Sequence, residues 1–426
     1  MSRTSLRSAS ALVLGLALLA SIALPQPVHA AAQIVIVPGT GLTDPTVATP
    51  VGGNPGTTVG QQRLNVFLRA ADIWGNLLNS AVPIRVQAQF IPQFCSATQA
   101  TLGSAGPLTI SGNFPGATLT NTWYSTAEAN SLAGFDLVTT ANDINASFNS
   151  NLNGSPACLG GIKWYYGLDN APPGSDVDFL GVILHELAHG LGFTSFVSSA
   201  TWTVPSPLPN DVWNFFLFDA TLMAPWTALT PAGKAFSATN TGNLTWSGGN
   251  VTAASGGLTA GINPATGFVR MYAPATFSPG SSIAHFDTVL TPNEVMEPFF
   301  TQPTNKVGLA RPLFTDIGWS TNPQSYVQYK PIPGPAGGNN LITAGNGTPG
   351  ATTFLIYGFN AGPLNVGCPT PIGFTDLNIL ASGINGANGQ FDFTINIPAS
   401  LAGLTVLLQA VEIPSCQVSN LVVHTF

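Results

Sequence analysis

The stretch Leu184-His185-Glu186-Leu187-Ala188-His189-Gly190-Leu191-Gly192-Phe193 decides how this chain is read. Residues four apart on an α-helix lie about 40° apart around its axis, so His185 and His189 project from one face. The flanking Phe179, Leu180, Val182, Ile183, Leu184 and Leu187 predict a buried helix over Phe179 to Leu191, with Ser175 or Asp176 placed to cap it. Two imidazoles and a carboxylate inside such a helix are costly to bury without a partner. One Zn²⁺ held by His185 and His189 supplies it, since imidazole nitrogens at that spacing reach a common ion at about 2.0–2.1 Å. Glu186, next to the first ligand, is then placed to accept a proton from water on the metal, as a general base. Gly192 predicts a sharp turn out of the helix, with positive φ.

A catalytic zinc usually takes three protein ligands and leaves one position open. In the commonest extension of this signature a third His follows Gly192 by three residues, but that position is Ser195, a poor zinc ligand. Outside the helix only His285 and His424 remain once His29 is set aside in the leader. His424, two residues from the C-terminus, reads as a surface residue. His285, in Gly280-Ser281-Ser282-Ile283-Ala284-His285-Phe286-Asp287, is the third ligand by elimination, with a carboxylate from Glu294 or Glu297 as the rival.

Outward from these segments, Arg3 and Arg7, the apolar run Ala9 to Leu24 and the small-residue site Val28-His29-Ala30 predict a secretory signal peptide over residues 1–30. Such a leader suits a bacterium at least as well as a eukaryote, and it makes the mature protein secreted. No later stretch is apolar for long enough to span a bilayer. Charged residues are only 7% of the chain, which favours short strands and turns over long solvated helices. A net charge of −7 with eleven Lys plus Arg excludes a nucleic-acid footprint. The four cysteines of this exported chain predict two disulfides, Cys95–Cys158 and Cys368–Cys416, each within one half.

Strands are predicted over Ile34 to Val37, Val82 to Phe90 and Asp143 to Asn149, and a helix over Val59 to Leu78. Residues from about 195 to 282 show no period. A segment of that length builds loops around a site or carries a small inserted β-unit. Residues 322–350, crowded with Pro, Gly and Asn, predict a linker. Short alternating runs at Thr353 to Phe359, Phe391 to Ile397, Leu404 to Val411 and Val418 to Thr425 predict a small antiparallel β-sandwich over 351–426.

His185 to Phe193, the later His285, and Met296 in Pro292-Asn293-Glu294-Val295-Met296-Glu297-Pro298 together resemble the metzincin metalloproteases, most closely the leishmanolysin-like branch. In that branch a long insertion after the helix glycine displaces the third zinc-binding His. The resemblance implies His185, His189 and His285 as ligands, Glu186 as base, Met296 as a structural floor beneath the metal, and Asp316-Ile317-Gly318-Trp319 as the closing helix region. It also implies that the Asp143 to Asn149 strand forms the upper edge of the cleft, where an extended peptide adds as a further strand. It covers roughly residues 32 to 322 and leaves the C-terminal region aside. No propeptide cysteine that would mask the zinc is visible.

The expectation is therefore an α+β fold. A metzincin-like zinc protease domain over 31–321, built of a twisted mixed sheet and the active-site helix, precedes the β-sandwich. The expected function is hydrolysis of protein or peptide substrates with one zinc ion; calcium sites are not readable. Two rivals stand beside it: an inactive zinc-holding protein whose sandwich contacts a surface or carbohydrate, and a metallohydrolase acting on something other than peptides.

Overall fold

The computed structural model describes residues 32–426 apart from 305, 323–325, 331–335, 346, 369–370, 387–388 and 420; the expected leader lies outside the described residues. The N-terminal region is mixed α+β. Strand β1 (Ile34–Pro38) leads to helix α1 (Val59–Leu77), whose N-cap Thr58 accepts a hydrogen bond from the Gln61 amide at 3.2 Å. There follow β2 (Ile84–Ile91), β3 (Gly103–Pro107), β4 (Ile110–Gly112), β5 (Thr122–Ser125), α2 (Thr126–Ala133) and β6 (Ile144–Asn149). The main sheet has the order β1-β2-β6-β3, with β1, β2 and β6 parallel and β3 antiparallel to β6.

Buried Ile84, Val86, Ala88 and Phe90 alternate along β2 and line the core. The short parallel pair β7 (Trp164–Tyr165) and β8 (Val177–Asp178) then delivers the chain to helix α3 (Phe179–Leu191). The helix begins at Phe179 as expected, but the extended path through β8 places its cap at Asp178 and not at the expected Ser175 or Asp176. Asp178 is the N-cap, accepting from the Gly181 amide at 3.1 Å, while Asp176 accepts from Lys163. Helix α3 lies against the sheet. Phe179 stacks its ring edges on Phe67, Phe90 and Phe148 at 5.0–5.6 Å between centroids, and the Trp74 indole donates to the Leu184 carbonyl. Each such ring contributes about 1.5–3 kcal/mol on burial, so packing rather than helix propensity holds α3. Gly190 is required by this contact, because a Cβ there would stand 2.4 Å from Ile144 on β6.

The sheet order corrects one expectation. Strand β6 is internal, bonded to β2 on one side and β3 on the other, so the outer edge belongs to β3. The sequence of β3, Gly-Ser-Ala-Gly-Pro, carries no alternation or β-branched residue, which is why no strand was expected there.

The aperiodic stretch 195–282 holds a small antiparallel unit in which Ala224–Pro225, Leu217–Asp219, Leu244–Trp246 and Val269–Arg270 lie side by side. Strands of two or three residues are too short to show a period. Trp213, Trp226 and Trp246, all fully buried, fill its inner face. The Ala310–Ile317 helix closes the region, and the Trp319 indole beyond it donates to Leu191 at the end of α3.

The C-terminal region is antiparallel and β-rich. Tyr326–Lys330, Gly338–Gly345 and Phe391–Ile397 form one sheet. Asn378–Ile384, Thr352–Gly358 and Thr405–Ile413 form the other, extended by Gln417–Val418 and Val422–Thr425. Ile342 and Ala344 of the first sheet and Leu355, Leu408 and Ala410 of the second share one buried cluster. The expected linker 322–350 is thus corrected: two strands of the first sheet lie inside it. Its Gly and Asn residues hid the apolar run Leu341-Ile342-Thr343-Ala344. Both disulfides pair as expected, each with a Cα–Cα distance of 5.2 Å. Among the described residues no helix is long and apolar enough to cross a membrane.

Candidate metal centre

Helix α3 presents His185 and His189 on one face, and His285 arrives from the chain that follows the inserted β-unit. Their three Nε2 atoms form a triangle with every side 3.1 Å. Each Nδ1 faces a main-chain carbonyl: His185 that of Val295 at 2.7 Å, His189 that of Phe193 at 2.7 Å, His285 that of Ser281 at 2.8 Å. A carbonyl only accepts, so the proton of each ring sits on Nδ1 and the Nε2 lone pairs point inward. Three lone pairs facing one another at 3.1 Å repel unless a cation lies between them. The triangle suits one: nitrogens about 2.0–2.1 Å from a tetrahedral centre stand about 3.3 Å apart. Burial reinforces the neutral state, lowering His185 to about 4 and His189 to about 3, the second helped by the disfavour of protonating two adjacent rings. His285 is lowered well below the ordinary histidine value by burial and then by its two neighbours. The cluster can hold a metal ion.

The carbonyls that aim the rings come from turns. Gly192, at φ 123°, ends α3 and folds the next residue back, so that the Phe193 carbonyl returns to His189 four residues earlier. A side chain at Gly192 would also press on Glu128 and Ser125, each 3.1 Å from the Cβ position. Val295, whose carbonyl holds His185, lies in the Pro292–Pro298 turn, where fully buried Met296 accepts from the Phe286 amide at 2.9 Å. That turn therefore orients one of the clustered histidines directly and braces the segment carrying another.

The rival third ligands are committed elsewhere. Glu294 accepts from the Leu309 amide at 2.8 Å, and Glu297 from the Glu294 amide at 2.9 Å. Ser195, in the position of the shorter signature's third His, bonds Asp211 at 3.0 Å. His424 lies on the Val422–Thr425 strand and is not one of the clustered residues.

Glu186 is buried beside the outer strand β3. Burial raises its carboxyl to about 8, and a hydrogen bond from the Ala105 amide of β3 acts in the opposite direction. A cation in the triangle would lower it further, because a nearby positive charge favours the carboxylate. Gly103 of β3 makes room for it: a Cβ there would lie 3.2 Å from Glu186 Cγ. The residues that sequence reading missed are main-chain groups and glycines of this kind, which leave no side-chain signature.

Beneath the end of α3 lies a second buried carboxyl. Glu128 Oε2 accepts from Ser125 at 3.5 Å, and Oε1 has no partner. Burial raises its pKa well above the ordinary 4.5. The folded chain thus keeps a proton that the unfolded chain releases. The stability this contributes is present below about pH 4.5 and is lost as pH rises through the raised value. Glu128→Gln is accordingly expected to match the wild type in Tm near pH 4 and to exceed it by about 2 °C or more at pH 8. Thermal scans at the two pH values check this, and an offset independent of pH would refute it.

A family described as SPBPB7E8-like matches residues 53–226, a span that includes α3 and stops short of His285. No curated protein and no solved structure matches the chain.

Proposed function

We propose that this chain is a secreted zinc-dependent endopeptidase of the metzincin type, nearest the leishmanolysin-like branch, in which His185, His189 and His285 hold one zinc ion and Glu186 is the general base. The observation that carries the reading is the triangle of inward-facing Nε2 atoms with all three Nδ1 protons engaged by carbonyls. Zinc held there supplies Lewis acidity that polarises a carbonyl and makes water a nucleophile near neutral pH. Glu186, one residue from the first ligand, takes the proton from the attacking water and returns it to the leaving amine. The outer edge of β3 offers main-chain groups to an extended peptide, which would lie antiparallel or parallel to it above Glu186. Met296 serves as the floor and Gly192 as the turn that ends the helix. The two disulfides support secretion. We take residues 31–321 as the catalytic domain and the following antiparallel region as a β-sandwich.

The purified chain loaded with one equivalent of zinc is expected to cut casein into peptides. A strong chelator should abolish cleavage, and restored zinc should return it. Zinc retained without cleavage of casein or of a peptide library would overturn the peptidase reading in favour of a metal-holding binding protein.

A further inference from the structure

We propose that Trp213, supplied by the inserted segment, is a positioning residue for the metal centre, because its indole N–H fixes the turn that aims His285. This rests on the metal reading above. His285 is preceded by Ile283, a β-branched residue at φ 69°, in the left-handed region that such residues seldom adopt. Two hydrogen bonds hold it there: its amide donates to the Tyr272 carbonyl at 2.8 Å, and its carbonyl accepts from Trp213 Nε1 at 3.0 Å. The turn so formed runs from Ser281, whose carbonyl receives the His285 Nδ1 proton, to His285 itself.

Trp213 also touches the other end of the site. Its ring lies 4.8 Å from that of Phe193, whose carbonyl receives the His189 proton. The turn bearing Trp213 is fastened in turn to the chain just beyond Phe193. Asp211 accepts from the Asn214 amide with one oxygen, and from the Ser195 hydroxyl and the Phe196 amide with the other. One buried indole thus ties the segment that presents His285 to the segment that orients His189, two ligands 96 residues apart. The insertion that displaces the third ligand in sequence also supplies the group that returns it in space.

Trp246 provides the control. It is equally buried and packs on Trp213 at 4.4 Å, but its indole donates to Asp316 and not to a ligand-bearing segment. Zinc affinity of the full chain is to be measured by competition with a chromophoric chelator for wild type, Trp213→Phe and Trp246→Phe. Loss of a partner bonded directly to a metal ligand weakens binding by about 10–100-fold. Trp213 acts one step further out, through Ile283, so a loss of about tenfold, the low end of that range, is the expectation. That loss is expected for Trp213→Phe and not for Trp246→Phe, even where both variants lose similar amounts of Tm. Should Trp213→Phe not fold, benzothienylalanine at position 213 removes only the N–H and keeps the ring shape, with the same loss expected. Unchanged zinc affinity in the position-213 variant, or equal losses at 213 and 246, would overturn the proposal. A wild-type chain that takes up no zinc would overturn the metal reading beneath it.

Discussion

Glu186→Gln is expected to lower kcat/KM on an unfolded protein substrate by about 10²–10⁴-fold, the usual contribution of a positioned general base. The amide fills the same volume, so the buried contact with β3 near Ala105 and Gly103 survives. What disappears is the group able to take a proton from water. Zinc content should stay near one per chain, because the triangle of nitrogens does not include this side chain. Steady-state kinetics and metal analysis on one preparation check both halves. Activity within about tenfold of wild type would place the base elsewhere. Loss of zinc would make Glu186 a ligand instead.

His285→Ala is expected to weaken zinc binding on the order of 10³-fold, roughly 4 kcal/mol. The variant leaves two nitrogens from α3 and opens a second coordination position to solvent. It also removes a buried ring that donates to Ser281 and packs against both other histidines at 4.7–5.0 Å. Stability of the zinc-loaded protein should fall with the affinity, since an ion that binds only the folded chain adds stability in proportion to the logarithm of one plus the ratio of its free concentration to its Kd. His424→Ala, on the C-terminal strand, should change neither. Titration calorimetry with zinc distinguishes these outcomes. Unchanged affinity in His285→Ala would remove it from the ligand set.

Much of the site was legible because its first half is local. The four-residue spacing of His185 and His189, the position of Glu186 and the turn at Gly192 follow from helix geometry and from glycine's freedom at φ 123°. The limits of α3 were legible for the same reason, through the apolar run from Phe179 to Leu191. Its cap was not, because Ser175, Asp176 and Asp178 are equally good capping types and only the pairing of β7 with β8 selects among them. The disulfide partners followed from the division of four cysteines between two halves.

The main sheet shows the opposite case. The alternating β6 announced itself as a strand, yet nothing in its side chains states which neighbours it takes. Strand β3, with two glycines and a proline in five residues, gave no signal at all and became the outer strand. Likewise Tyr326–Lys330 and Gly338–Gly345 read as linker, since Pro, Gly and Asn weigh more in a composition count than one short apolar run.

The sequence by itself determined the chemistry that two histidines and a glutamate on one helix can offer, and it narrowed the third ligand to His285 or a nearby carboxylate. Only the tertiary structure shows that His285, and neither carboxylate, joins the cluster that could hold a metal ion. It engages Glu294 and Glu297 with main-chain amides, and it turns the carbonyls of Val295, Phe193 and Ser281 toward the three imidazoles. The physical reason is one of range. Spacing along a helix is set by neighbouring dihedrals, whereas the direction of a ring 96 residues away depends on backbone carbonyls that every residue carries alike.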